Sequence, residues 1–277
     1  MRAWVGTGGT GCLVDPEGPS ISLLDHGFTV ADGVFETLKV IDGVPFALTR
    51  HLRRLGRSAQ AMHLPPPQEG WVREAVGEVL AHADALAHGR LRITYTAGIA
   101  PLGSDRGDAS PTLAVAVSAS APWPATTTAV TVPWTRNERS AIAGVKSTSY
   151  AENVIALHRA HEQGASEALF ADTRGRLSEG TGTNVFVVLN GELLTPSLAC
   201  GCLAGITREL LLEWTTAREC ELPIEALGDA EEVFLTSSTR DVHPVTRINA
   251  RTFPGPGPIT QDVRATFTSR AGADPDP

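Results

Sequence analysis

Gly144-Val145-Lys146-Ser147-Thr148-Ser149-Tyr150-Ala151-Glu152-Asn153 opens a stretch that continues through Glu167-Ala168-Leu169, Ser178-Glu179-Gly180 and Asn184-Val185-Phe186. Lys146 stands out against its background, because only two of the 23 basic residues, Lys39 and Lys146, are lysines. Arginine stays protonated, whereas a partly buried lysine amine sheds its proton and attacks a carbonyl carbon. A chain that uses arginine wherever plain positive charge serves has kept these two lysines, so each is a candidate nucleophile. Glu179 lies 33 residues beyond Lys146, between glycine-rich turns. Taken singly, such a lysine also reads as a solvated charge and such a glutamate as part of a turn.

An amine able to attack an aldehyde, with a carboxylate able to pair with a pyridinium nitrogen, is the minimum kit for pyridoxal phosphate chemistry. The wider order of motifs sharpens this. The Lys146 to Asn153 string is followed by Glu167-Ala168-Leu169, Ser178-Glu179-Gly180, Asn184-Val185-Phe186 and Thr195-Pro196. Gly205-Ile206-Thr207-Arg208 and Glu232-Val233-Phe234-Leu235-Thr236 come next. From about residue 20 to 265 this succession resembles the class IV, fold-type IV pyridoxal-phosphate enzymes: branched-chain and D-amino-acid aminotransferases and 4-amino-4-deoxychorismate lyases. The resemblance implies an α+β protein of two domains, a smaller N-terminal α/β sandwich and a larger C-terminal β-barrel-like domain. It places the boundaries at 1–120, a linker at 121–128 and 129–277, with the lysine in the second domain. It also implies a homodimer whose substrate loops reach across subunits.

Composition bounds the alternatives. A chain of 277 residues, 42% hydrophobic and 19% charged, is long enough for one large or two medium cores. A formal charge of −8 leaves no basic footprint for nucleic acid. No stretch approaches the length of a membrane span and no charged start precedes an apolar run, so a cytoplasmic protein is expected. Cys12, Cys200, Cys202 and Cys220 lack zinc spacing and read as free thiols in a reducing compartment.

Gly6-Thr7-Gly8-Gly9-Thr10-Gly11 matches the G-x-G-x-x-G dinucleotide fingerprint letter for letter. That motif needs a buried strand before it and a helix after it, and Cys12 to Pro19 cannot open a helix, so a hairpin turn is predicted. From Ile21 to Phe46 the pattern is strand-like, including Phe28 and Val30, with a hairpin across Asp42-Gly43. Leu52, Leu55, Ala59 and Met62 predict a helix over 51–63, and Val72, Val76, Val79, Ala83 and Leu86 a second one. Strands are expected at 91–95, 112–117, 130–132, 168–171, 184–188, 192–194 and 233–236. Helices are expected over 152–163 and from Thr207, the latter carrying Leu210, Leu211, Trp214 and Ala217 inward. The loop from Ala97 to Gly107 is too polar and glycine-rich to pack, and the 271–277 tail reads as disordered.

The resemblance assigns roles residue by residue. Lys146 holds the cofactor aldehyde as a Schiff base, and Glu179 keeps the ring nitrogen protonated. Arg54, in His51-Leu52-Arg53-Arg54-Leu55, aligns with a phosphate-binding arginine. Gly205, Ile206 and Thr207 open a helix whose unpaired N–H groups and dipole suit an anion. Ser237 and Ser238 fall where the family places hydroxyls on the same phosphate, Leu203 where an apolar residue packs on the ring, and Tyr150 and Asn184 beside the cofactor. The substrate is a small amino compound. Phe35 and Ala97 stand where D-amino-acid transaminases carry tyrosine and arginine, which weakens that reading. Thr37 resembles a threonine that the deoxychorismate lyases place beside the cofactor, where branched-chain transaminases carry glycine. That tilts the expectation toward the lyase, with a class IV transaminase as the alternative. Arg106 and Arg240 are loop arginines available for substrate carboxylates.

Overall fold

The computed structural model describes all 277 residues and divides into two compact units. The first comprises Met1–Pro122, Val145–Ser149 and Pro275–Pro277; the second comprises Trp123–Gly144 and Tyr150–Asp274. The strip carrying Lys146 therefore packs with the first unit, whereas the sequence partition assigned it to the C-terminal domain.

The first unit contains β1 (Arg2–Thr7), β2 (Thr10–Val14), α1 (His26–Thr29), β3 (Gly33–Ile41), β4 (Val44–Pro45), α2 (Leu48–Ala61), α3 (Glu69–Ala81), β5 (His88–Thr96) and β6 (Thr112–Ala119). Its strands form one antiparallel sheet in the order β2-β1-β6-β5-β3-β4. Alternation decides its two faces. Val34, Leu38 and Val40 of β3 join Ile93, Val115, Leu52, Leu55, Val72 and Val76 in the core under α2 and α3. Truncating a fully buried leucine such as Leu38 to alanine removes about 2–5 kcal/mol. The opposite face of β3 carries Phe35, Thr37 and Lys39.

The glycine-rich N-terminus is a hairpin, as its composition implied. Gly6 pairs with Gly11, and a Cβ at either would fall within 2.4 Å of the Trp4 ring. These glycines make room for an indole and not for a pyrophosphate. The Asp42-Gly43 turn has positive φ at both residues (48° and 80°), which matches the right-handed twist of the flanking strands.

Two expectations fail in this unit. Phe28 and Val30 lie outside any strand: Asp25 accepts the Gly27 N–H at 2.8 Å and caps α1, leaving Phe28 71% exposed. The C-terminal tail is ordered. α2 starts on Ala47, a left-handed residue with no capping side chain, and the tail supplies the missing acceptors. Asp276 accepts from Thr49 N at 2.8 Å and Thr49 Oγ1 at 2.5 Å, while Pro275 O accepts from Ala47 N.

The second unit contains β7 (Thr127–Arg136), α4 (Ala151–Glu162), β8 (Glu167–Asp172), β9 (Leu177–Gly180), β10 (Asn184–Leu189), β11 (Glu192–Pro196), α5 (Ile206–Trp214), β12 (Arg218–Cys220), β13 (Glu232–Ser237), β14 (Asp241–Ile248), β15 (Arg251–Thr252) and α6 (Pro258–Ala273). β7 opens at Thr127, inside the stretch that composition marks as linker. The main path of the sheet runs β12-β11-β10-β13-β14-β7-β8-β9, with parallel pairings at β12/β11, β14/β7 and β7/β8. Register places Phe186 opposite Phe234, whose rings stack 4.9 Å apart. Ala156 and Ala160 of α4 pack on Val130, Val132, Ala168 and Phe170. α5 buries Leu210 and Leu211, while Ala217 lies past its end at Trp214.

Candidate active site

In the first unit Val145–Ser149 runs as a short edge beside β3. Phe35 N donates to Lys146 O at 3.0 Å, Thr148 N to Gly33 O at 2.8 Å, and Val34 bridges Ser147. This pairing fixes the backbone of Lys146 and sets its Nζ 4.3 Å from the Phe35 ring centroid. Lys39, further along the same face of β3, sits over Phe46 instead. Thr37 lies directly opposite Arg92, and Phe35 opposite Thr94. The Arg92 guanidinium stacks 3.5 Å from the Phe35 centroid, and its Nε donates to Thr94 Oγ1 at 3.1 Å. Arg92 is a site candidate that the sequence did not reveal, because one strand arginine among 21 carries no signal.

Behind this face, on the core side of β3, Glu36 is fully buried between His51 and Arg54. Arg54 donates from Nε and Nη2 to both Glu36 oxygens, at 2.8 and 2.6 Å, and His51 Nδ1 lies 2.6 Å from Oε2. Burial alone raises the Glu36 pKa, but the Arg54 and His51 charges and hydrogen bonds outweigh it and bring it to about 2. Burial pushes the His51 pKa down, against the pull of Glu36. Arg54 is thus held by a carboxylate before any ligand arrives.

Arg106 is engaged by a carboxylate of its own unit. Its Nε and Nη2 grip Asp32 at 2.6 Å each, and the carbonyls of Met62 and His63 accept at 2.9 and 3.1 Å. The loop that looked too polar to pack is fastened by this clamp.

In the second unit Glu179 lies in β9, one residue before its end, partly buried. Its Oε2 accepts from Leu203 N at 2.9 Å, and Arg136 Nε stands 3.2 Å from Oε1. Leu203 therefore contributes its backbone N–H to Glu179. Asn184 donates from Nδ2 to Leu203 O at 2.8 Å, which ties the start of β10 to the same segment. Gly205 is the N-cap of α5, without a side-chain cap, and a Cβ there would sit 1.9 Å from Asn184 Oδ1. Only glycine permits this approach, which leaves the first N–H groups of α5, at Ile206 and Thr207, without a capping side chain. Ser237 ends β13 and Ser238 follows it, both half-buried. Thr236, paired with Asn184, has a buried hydroxyl with no hydrogen-bond partner. Tyr150 caps α4. Arg240 lies 4.1 Å over the Trp123 ring and 3.4 Å from buried Glu167.

A helix start, adjacent serines, an orphaned hydroxyl and a glycine with no room for a Cβ make a donor set that fits a phosphate. A lysine and a backbone-held carboxylate fit an aldehyde and a pyridinium. Fold and donors together define an α+β enzyme built for a pyridoxal phosphate cofactor. The chain belongs to the amino-transferase class IV family, which matches residues 33–248. It is 32% identical over 274 residues to a putative branched-chain-amino-acid aminotransferase of Methanocaldococcus jannaschii, covering 93% of each chain. It is 31% identical over 279 residues to a bifunctional aminodeoxychorismate lyase / D-amino acid transaminase of Mycobacterium tuberculosis, covering 88% of this chain and 91% of that one. Among solved structures, the pyridoxal-phosphate-bound form of a hypothetical aminotransferase from Mycobacterium tuberculosis superposes with a TM-score of 0.84 at 29% identity, over 96% of this chain and 98% of that one. The fold is fold type IV and the cofactor is pyridoxal phosphate.

Proposed function

We propose that the protein is a 4-amino-4-deoxychorismate lyase, releasing pyruvate and 4-aminobenzoate, a folate precursor. The observation that carries this reading is the face of β3 and β5 beside Lys146, where a hydroxyl (Thr37) and a guanidinium (Arg92) stand opposite one another. A substrate with two carboxylates and an ether leaving group uses both, the cation for charge and the hydroxyl for a proton. The name of the 31% identical relative is consistent with this chemistry.

Bound pyridoxal phosphate supplies an electron sink for the pair left on the substrate carbon when its proton departs. Lys146 is the residue that would hold the cofactor aldehyde, and its freed Nζ would take the proton from the substrate carbon bearing the amine. Glu179, whose Oε2 accepts from Leu203 N–H, would keep the ring nitrogen protonated. By the family resemblance, Arg54, Ile206, Thr207, Ser237 and Ser238 are the residues that would hold the phosphate, and Leu203, Tyr150 and Asn184 those that would lie beside the cofactor. Phe35 and Arg92 would bound the substrate, and the Thr37 hydroxyl would pass a proton to the ether oxygen as the ring C–O bond breaks, releasing the enol that tautomerises to pyruvate. Arg240 is a further loop arginine that would be available to a substrate carboxylate.

The lyase path regenerates the cofactor each turnover. 4-Amino-4-deoxychorismate alone should therefore yield pyruvate and 4-aminobenzoate continuously, with no oxo-acid acceptor. A second reading, an amino-acid transaminase of branched-chain or D-amino type, follows the name of the Methanocaldococcus relative and the apolar Phe35 ring beside Lys146. An enzyme that makes no pyruvate in this assay but moves nitrogen from leucine, valine or alanine to 2-oxoglutarate is that transaminase. We also assign it to the cytoplasm, where four free thiols are stable, and to a homodimer. Leu23, Phe28, Ile99 and Leu102 each expose more than half their area, as a partner subunit would require. Sedimentation of an active monomer would remove the dimer.

A further inference from the structure

Glu179 is the carboxylate proposed above for the ring nitrogen, and its two oxygens meet different groups. Leu203 N–H fixes Oε2 by a directed hydrogen bond. Oε1 faces Arg136 Nε at 3.2 Å, and that buried Nε makes no hydrogen bond, so the contact is held by charge. An N–H on one oxygen and a cation at the other restrict rotation about the side-chain torsions and keep the charge in place.

Arg136 is itself held on three sides. It ends β7 with its guanidinium 4.3 Å over the Phe170 ring. Its Nη1 donates to Asn153 Oδ1 at 3.1 Å and to the more exposed Glu152 at 3.3 Å. Asn153 is buried and uses its other amide atom as well, Nδ2 donating to Thr181 O. Only one orientation of the amide satisfies an arginine donor on one side and a carbonyl acceptor on the other. Thr181 N in turn donates to buried Glu167 at 2.9 Å. A continuous polar chain runs Glu167, Thr181, Asn153, Arg136, Glu179, Leu203, all within the second unit.

We propose that Arg136 is a positioning residue that aims and fixes Glu179, and that Asn153 in turn positions Arg136. The inference rests on the reading of Glu179 as the ring-nitrogen partner. Arg136→Met, Glu179→Gln and the double variant form a cycle, read by kcat and by the wavelength of the bound cofactor's visible band. Acting through Glu179, Arg136→Met should lower kcat about 10–100-fold with KM changed less than about threefold. It should also move the band in the same direction as Glu179→Gln. In the Glu179→Gln background it should change kcat by less than about twofold and leave the band still, because contacting residues with one shared role are non-additive. Arg136→Lys should recover part of the loss. Asn153→Ser, which keeps the charge but frees the guanidinium, should reproduce a smaller version of it and carries the test if Arg136→Met fails to fold. Equal, additive losses in both backgrounds, or an unmoved band in Arg136→Met, overturn the inference while leaving Glu179 in place. A Glu179→Gln enzyme with wild-type kcat and band overturns the reading of Glu179 and the inference with it.

Discussion

Arg54 and Glu36 form a two-point ion pair in the first unit, Nε to Oε1 at 2.8 Å and Nη2 to Oε2 at 2.6 Å, with the Glu36 side chain fully buried and Arg54 nearly so. Two charges leave water together here. The arrangement holds because both carboxylate oxygens are hydrogen-bonded and His51 adds a third contact.

Glu36→Gln leaves the Arg54 cation buried without its counter-charge. Loss of about 3–5 kcal/mol of stability at neutral pH is expected from urea unfolding. The sign with pH follows from a folded pKa of about 2 against an ordinary value of 4.5. A depressed carboxylate pKa contributes stability that is complete above the ordinary value and fades as pH falls toward 2. Wild-type stability should therefore drop across that window and the variant should lose this part of the slope. An unchanged acid limb would show that Glu36 is not ionised in the fold.

Borohydride treatment followed by peptide mapping should place the cofactor on Lys146. Both lysines border the same face of β3, but Lys146 Nζ is by Phe35 and Lys39 Nζ by Phe46. An adduct on Lys39 would overturn the site.

Gly205→Ala sets a methyl group 1.9 Å from Asn184 Oδ1, a distance no contact tolerates, so the start of α5 must move. If that helix start binds the phosphate, affinity for pyridoxal phosphate, titrated by absorbance, should fall by at least about tenfold. The cost in melting temperature should be a few degrees. Wild-type affinity would put the phosphate elsewhere.

Thr37→Gly removes the hydroxyl opposite Arg92. Pyruvate release from 4-amino-4-deoxychorismate should fall about 10²-fold or more, the usual worth of a positioned proton donor. Any transamination of alanine should change far less. Equal losses in both assays would make Thr37 a packing residue.

The elements legible in the sequence were those with a strong local code. The 3.6-residue spacing of Leu52, Leu55 and Ala59 produced α2, Asp42-Gly43 produced its hairpin, and Lys146, one of two lysines among 21 arginines, stood out as a nucleophile candidate through the motif string that follows it. The rejection of the glycine fingerprint also rested on local context, and Trp4 over Gly6 and Gly11 supplies its physical cause.

Only tertiary structure decided what the arginines do. Arg106 is spent on Asp32, Arg54 is seated by Glu36, Arg92 covers Phe35 and Arg136 faces Glu179. Their partners lie 74, 18, 57 and 43 residues away along the chain, and an arginine's local sequence says nothing about which distant carboxylate or ring it will meet. The same holds for the tail, which orders because α2, far away in sequence, begins without a cap and Asp276 supplies one. The sequence by itself determined secondary structure wherever side-chain periodicity or turn chemistry is local, and it determined the family through the order of its motifs. The pairing of charges was set by the fold, because a guanidinium reaches whichever acceptor the packed strands and loops bring within hydrogen-bonding distance.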